Sequence, residues 1–392
     1  MVEWKRLGDI MTIVRGASPR PIKNYITNDG SGVNWIKIGD VAPGAKYITS
    51  ANEKITKEGA EKSRYLHSGD FVLSNSMSFG RPYILKIDGC IHDGWIAMSN
   101  YEKSLSSGYL YEILNSNSVQ NYWKIKANNG GAMTNLNSDI VRETVIPIPS
   151  LSEQTRIVGI LDTFTAFIDN LKQQIAERRK QFEHYRDQLL DLEGKEGVEM
   201  KTCGELFEVT DYVANGSFAT LRENVSYKQE PDYAILVRTI DLSNNFDGDK
   251  VYIDERAYKF LSKSSLFGGE IIINNIGAGV GQTFRCPYLK EKMSLGPNSI
   301  LVRTPNNDFY YYWFNSIYGQ NAIMKVVTPG AMPKFNKTGF KTITAPVPSL
   351  VEQNRIVSIL DTFEASIANL EAQLKEREKQ YEYYRNKLLT FD

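Results

Sequence analysis

The chain is 392 residues long, with 42% hydrophobic and 23% charged residues, 17 Phe, 22 Tyr and 5 Trp; this globular composition excludes disorder as the main state and suits two or three domains. Its 46 Lys and Arg balance 46 Asp and Glu, which excludes the strong basicity of a chain that grips nucleic acid by charge alone. Cys90, Cys203 and Cys286 are too far apart for a C-x-x-C zinc or redox pair, and neither a signal-like apolar segment nor an eighteen-residue apolar run occurs, so a reducing, cytoplasmic setting is expected.

In chain order, the first 145 residues carry short β-rich runs, Trp35–Ile38, Phe71–Leu73 and Ile84–Ile87, set off by Gly, Asn, Asp and Pro. An aromatic helical stretch follows from Gly108 to Ala127. A Pro-x-Pro-Ser leader then ends in Ser150-x-x-Glu153, a capping box that predicts a helix start. From there apolar residues step by four and three: Ile157, Leu161, Phe164, Ile168, Leu171, Ile175, Arg178, Phe182, Tyr185 and Leu189. This a/d alternation predicts a coiled-coil helix, with Arg178 in the seam either fixing register or snorkelling to solvent. Glu193-Gly-Lys195 reads as its C-terminal cap.

The second half repeats the first. β-rich runs recur at Ala234–Val237 and Ile271–Ile273, an aromatic helical stretch at Phe309–Val327, and the leader and box at Ser349-x-x-Glu352. The seam then reads Ile356, Leu360, Phe363, Ile367, Leu370, Leu374, Arg377, Tyr381, Tyr384 and Leu388. Residues 147–190 and 346–389 align without gaps at an offset of 199, with 28 of 44 positions identical, which marks a duplication. The expected domains are 1–145, 146–194, 195–344 and 345–392, carrying net charges of +3, −2, +1 and −2. The fold class is α+β: two variable domains separated by two long helices that form an antiparallel coiled coil, with a pseudo-two-fold internal repeat. A helix of about 40 residues, about 60 Å long, needs a partner along its length, and the other copy is the natural one.

Catalytic motifs are not found. Gly277-Ala-Gly-Val-Gly281 lacks the following glycine and helix of a dinucleotide site and reads as a hairpin turn. There is no Walker A sequence and no Asn-Pro-Pro-aromatic methyltransferase tetrapeptide. His67, His92 and His184 share no metal spacing, and His92-Asp93 reads as a turn rather than an orienting pair. No catalytic residue, metal site or cofactor is therefore assigned to this chain.

The motif Pro-x-Pro-Ser-Leu-x-Glu-Gln-x-Arg-Ile-Val opens both long helices, and Leu7-Gly-Asp-Ile10 and the Gly-Asp/Glu-apolar runs at 69–80 and 269–281 support it. Together these resemble the specificity (S) subunit of type I restriction-modification enzymes over the whole chain. The resemblance implies a non-catalytic subunit in which each variable domain is a target recognition domain reading one half of a bipartite DNA sequence. The helices would set half-site spacing and dock two methyltransferase (M) subunits, and through them restriction (R) subunits. S-adenosylmethionine and ATP with Mg would belong to those partners. The alternative is a coiled-coil scaffold presenting two protein-binding domains.

Candidate DNA contacts follow from matched strands and loops. Asn75, Ser76 and Arg81 in the first domain answer to Asn275, Gln282 and Arg285 in the second; Asn and Gln can pair with adenine and Arg with guanine. The duplicated Gly-Ala-Met loop adds Thr134 and Asn135, with Lys334 opposite Asn135. Lys37 and Arg238, at the ends of β runs, are candidates for phosphate.

Overall fold

The computed structural model describes residues 2–42, 44–75, 79–128 and 135–391, without the side chain of Asn128. The chain divides into two compact units, Met1–Lys172 with Ala372–Asp392, and Gln173–Glu371. Each is α+β.

In the first unit the incoming strand Glu3–Arg6 pairs antiparallel with the outgoing strand Val145–Ile148, Trp4 facing Pro147. A two-stranded ribbon is all edge, so a proline that cannot donate to the ladder is tolerated. Leu7–Ile10 then makes one helical turn; the Leu7 N–H donates to the Thr144 carbonyl at 2.9 Å, and its side chain is buried. Gly8 sits where a Cβ would lie 3.0 Å from Cβ of Arg142, which accounts for glycine there.

Two five-stranded sheets form the body. One runs Thr12–Arg15, Trp95–Ser99, Phe71–Ser74, Pro82–Leu85, Tyr47–Ile48; the other runs Ile26–Thr27, Glu53–Ile55, Val33–Ile36, Gly89–Ile91, Arg64–Leu66. Phe71–Ser74 and Pro82–Leu85 are buried on both faces, so they read as continuous apolar runs rather than alternating ones. The run expected at Trp35–Ile38 lies two residues earlier, because the Asp40 carboxylate accepts the Lys37 N–H at 2.8 Å and closes a 3₁₀ turn. The single helix expected over 108–127 is two, Ser107–Leu114 and Asn117–Asn128. Ser116 interrupts it: its hydroxyl donates to the Ile113 carbonyl at 2.7 Å and accepts the Val119 N–H.

The second unit repeats this plan with little of the sequence. Glu199–Thr202 pairs with Thr344–Val347, Met200 facing Pro346, and the turn Cys203–Leu206 follows. The Cys203 N–H donates to the Ile343 carbonyl at 2.7 Å, and a Cβ on Gly204 would lie 3.2 Å from Cβ of Lys341. One four-stranded sheet runs Glu208–Asp211, Ser299–Arg303, Ile271–Asn274, Thr283–Arg285; the other runs Tyr252–Ile253, Ala234–Val237, Lys292–Leu295, Ser265–Leu266. The parallel pair Ala234–Val237 with Lys292–Leu295 answers to Val33–Ile36 with Gly89–Ile91. Helices Asn307–Asn315 and Ile317–Met324 break at Ser316, which makes the same bonds as Ser116.

The long helices are Leu151–Leu189 and Leu350–Leu388. Ser150 and Ser349 accept the N–H groups of Glu153 and Glu352 at 3.3 Å, the first half of each capping box. The second half is not made as expected, because each Glu carboxylate instead takes a two-pronged bond from Arg156 or Arg355, at 2.6–2.8 Å. In the first unit Phe164 stacks on Tyr384 and Lys172 pairs with Glu378; in the second, Tyr185 stacks on Phe363 and Arg179 pairs with Glu371. Within each unit later positions on one helix meet earlier positions on the other, so the helices run antiparallel. The seam is shorter than the heptads suggest. Ile157 and Leu161 are buried in the core of the first unit's domain, and Ile356 and Leu360 in that of the second. The Arg178 and Arg377 guanidinium groups lie 5.8 Å over the Phe363 and Phe167 rings, a snorkelling position rather than a buried one. The first long helix ends at Leu189, so Gly194 (φ +74°) belongs to the turn beyond it and is not its cap.

Candidate nucleic-acid interface

The described residues at the bases of two loops are tied by the same bonds in both domains, residues 76–78 and 129–134 of the first domain lying outside the described ones. The antiparallel strands Phe71–Ser74 and Pro82–Leu85, and Ile271–Asn274 and Thr283–Arg285, are each joined by a segment that ends on a glycine of positive φ, Gly80 (+69°) and Gly281 (+88°). A helix side chain clasps each: Gln120 Nε2 donates to the Gly80 carbonyl at 3.1 Å, and Gln320 Nε2 to that of Gly281 at 3.0 Å. Beside each hairpin a second loop is tied down. The N–H of Leu136 donates to the carbonyl of Asn75 at 2.9 Å, and that of Phe335 to the carbonyl of Asn275 at 3.1 Å. The glycine-rich segment 277–281 is thus a hairpin, as its sequence indicates.

This framework brings Asn75 next to Asn135 and Asn275 next to Lys334. It leaves Arg81, Gln282, Asn135 and Lys334 exposed, with Arg81 and Gln282 each one residue past the corresponding glycine. Ser76 and Thr134 lie outside the described residues. Asn75 and Asn275 are half-buried and spend their amide donors on the carbonyls of Asp93 and Phe335, so they brace the loops.

Three candidates are engaged elsewhere. Arg285 is not at a loop tip: it lies 4.4 Å over the Tyr311 ring and pairs with Asp308 at 3.2 Å and with Glu364 of the second long helix at 3.7 Å. Arg238 grips both oxygens of Asp241 and the Asp249 carbonyl. Lys37 pairs with Glu53. Lys37-x-x-Asp40 and Arg238-x-x-Asp241 are counterparts, each carboxylate closing a turn on the basic residue's own N–H, so these bases serve strand ends rather than a free phosphate site.

Other residues at the loops carried no signal in the sequence. Arg15 and Arg20 reach Asp93, beside Asn75, at 4.0 and 3.6 Å, and Arg20 is 84% exposed. In the second domain a hollow of about 190 Å³ is lined by Asn275, Asn298, Lys334, Tyr212 and Phe218, the last 69% exposed. These side chains come from segments far apart in the chain, so only the fold gathers them. His92 is packed between Trp35 and Trp95, and burial lowers its pKa below the ordinary imidazole value, in keeping with a turn residue.

Residues 1–178 and 195–379 match the family described as type I restriction modification DNA specificity domain. A putative type I restriction enzyme specificity subunit of Haemophilus influenzae is 27% identical, covering 100% of this chain and 96% of its own length. The EcoR124I/EcoR124II specificity subunit of Escherichia coli is 31% identical over 262 residues, 63% of each chain. Among solved structures, a chain from a type I R-M system studied for its complex assembly and conformational transition superposes with a TM-score of 0.67 at 17% identity, covering 100% of this chain and 98% of that one. The HsdS subunit of Thermoanaerobacter tengcongensis gives 0.50 at 18%, covering 99% and 95%. Doubled family match, full-length relative and shared fold agree: the chain belongs to the type I restriction-modification DNA specificity family.

Proposed function

We propose that this chain is the sequence-reading subunit of a type I restriction-modification enzyme, each domain recognising one half of a bipartite DNA target. The observation that carries the reading is the pair of loops anchored twice on the same bonds but flanked by different exposed side chains, Arg81 and Asn135 in one domain, Gln282 and Lys334 in the other. One scaffold with two different sets of exposed side chains suits an asymmetric site. Phosphate contact provides most DNA affinity, and a balanced charge leaves this chain weak on its own, so methyltransferase subunits docked on the long helices complete the grip. In this reading the helices set the half-site spacing, and methyl transfer and cleavage, with S-adenosylmethionine and ATP, belong to the partner subunits. Among the described residues no helix is long and apolar enough to cross a membrane; a DNA target places the chain in the cytoplasm in this reading.

The test is to co-express the chain with its methyltransferase subunit and map methyladenine across the host genome. A split motif that needs both chains, and changes on one side only when residues 1–145 are replaced, is the expected result. Copurification of the two chains without any motif would overturn it in favour of a docking scaffold.

A further inference from the structure

Each recognition domain meets the long helices through a bond between a hydroxyl and a carboxylate, buried on the domain side and partly exposed on the helix side, at the same place in the repeat but with the two groups exchanged. The correspondence is fixed by the flanks. Asn115 and Asn315 donate to the carbonyls of Tyr111 and Tyr311, and Ser116 and Ser316 to those of Ile113 and Trp313, so Glu112 corresponds to Tyr312. On the helices, at the offset of 199, Tyr381 corresponds to Phe182 and Asp361 to Asp162.

In the first unit the domain supplies the acid and the helix the hydroxyl. Glu112 is 2% exposed and accepts the Tyr381 hydroxyl at 2.7 Å, while Lys46 of the same domain lies 3.9 Å from Asp162. In the second unit the domain supplies the hydroxyl and the helix the acid. Tyr312 is fully buried and donates to Asp361 at 2.6 Å, with the Phe182 ring 6.2 Å from its own. Arg285 adds its charge toward Glu364, whose counterpart in the first unit is Thr165.

We propose that this exchange of donor and acceptor is a seating code, which makes the first recognition domain incompatible with the second seat on the helices. There, Arg186 stands in for Arg385 and Asp361 for Asp162, but Glu112 would meet Phe182, which has no donor, and would lie beside Glu364 in place of Thr165; a buried carboxylate that loses its hydrogen-bond donor and gains a second acid is among the costliest defects in a core. The code works in one direction. Moved to the first seat, Tyr312 finds Asp162 where Asp361 was, so the second domain keeps an acceptor. The inference concerns seating alone and holds whether or not the domains read DNA.

Thermal unfolding of full-length chains tests it. Tyr312→Glu in an Arg285→Ile background, which removes the cation 5.4 Å over the Tyr312 ring and matches Ile84 of the first domain, places the first domain's acid in the second seat, and a loss of roughly 5–10 °C in melting temperature relative to Arg285→Ile alone is expected. Adding Phe182→Tyr and Glu364→Thr, which rebuilds the first seat around it, recovers at least half of that loss, whereas Tyr312→Phe with the same pair gains nothing. In the companion experiment, a chain with residues 7–144 in place of 203–343 melts lower than wild type or yields little soluble protein, and a chain with 203–343 in place of 7–144 melts close to wild type. No recovery from the added pair, or a first domain equally stable in both seats, would overturn the proposal.

Discussion

The side-chain amide of Gln154 accepts the N–H of Ser106, 48 residues earlier, at 2.8 Å, and its own N–H₂ donates to the carbonyls of Ser104 and Pro149. The Gln of the Glu-Gln motif is therefore a fully buried rivet between helix and domain. Gln154→Ala strands three backbone groups, at a cost on the order of 1–3 kcal/mol. A measurable drop in melting temperature is expected, larger than for Gln353→Ala, which removes a single bond to Pro348. Equal drops for both would contradict the rivet.

Apolar and charged positions on the helices differ greatly in weight. Leu360 is fully buried in the second unit's core, and Leu360→Ala is expected to cost about 2–5 kcal/mol in denaturant unfolding. The ion pair of Arg179 and Glu371 is short, at 2.6 Å, but solvent-exposed, so Glu371→Ala is expected to cost under about 1 kcal/mol, falling further in molar salt.

Burial raises the Glu112 carboxyl above its ordinary value of 4.5; Tyr381, Lys46 and Arg385 pull it down, and Asp162 pushes it up. The folded chain thus holds this proton more tightly than the unfolded chain. That contribution is complete below the unfolded value and is lost as pH rises through the folded one. Glu112→Gln keeps an acceptor for Tyr381 without the charge, so its stability relative to wild type is expected to rise as pH climbs above the ordinary carboxyl value of 4.5. Parallel pH profiles from chemical unfolding would count against this assignment.

All three cysteines are free and buried, and desolvation pushes Cys286 up to about 12 and Cys90 and Cys203 above the ordinary thiol value. The thiolate is the reactive form, so a disulfide reagent at mildly alkaline pH should find no fast-reacting thiol in the folded chain and three after denaturation. A fast-reacting thiol in the native protein would show that one of these sites opens readily.

At the loop bases, Gln282→Ala is expected to relax one base position in the half-site read by the second domain, at about 1–3 kcal/mol of discrimination. Lys334→Ala should instead weaken binding evenly across sequences and flatten its salt dependence. Methylation mapping and salt titrations with the methyltransferase partner present distinguish the two; an unchanged motif for Gln282→Ala would remove that residue from base reading.

The repeat, the long helices and their antiparallel pairing were legible in the sequence because they depend on period and spacing, which 28 identities in 44 positions make plain. The α+β character of the domains was legible too, from buried runs such as Ile271–Ile273. The sites were less so. Arg285 looked like a loop residue because it follows a strand, but its partners Asp308 and Glu364 come from later in the chain, and only the packed fold discloses that its charge is already matched. Ile157 and Leu161 fit a heptad and also fit a globular core, since helical period tells which face is buried and not against what. Arg15, Arg20 and Phe218 are gathered to the loops by sheet order, which local pattern does not encode.

The two-stranded ribbon that closes each domain also decides how the domain responds to tension. Glu3 pairs with Ile148 and Glu199 with Val347, so the chain comes in and goes out at the same end of each ribbon. A pull along the chain therefore opens the ladder one pair at a time, as a zipper, rather than shearing all its hydrogen bonds together. Each recognition domain should then yield at low force, starting from its ribbon.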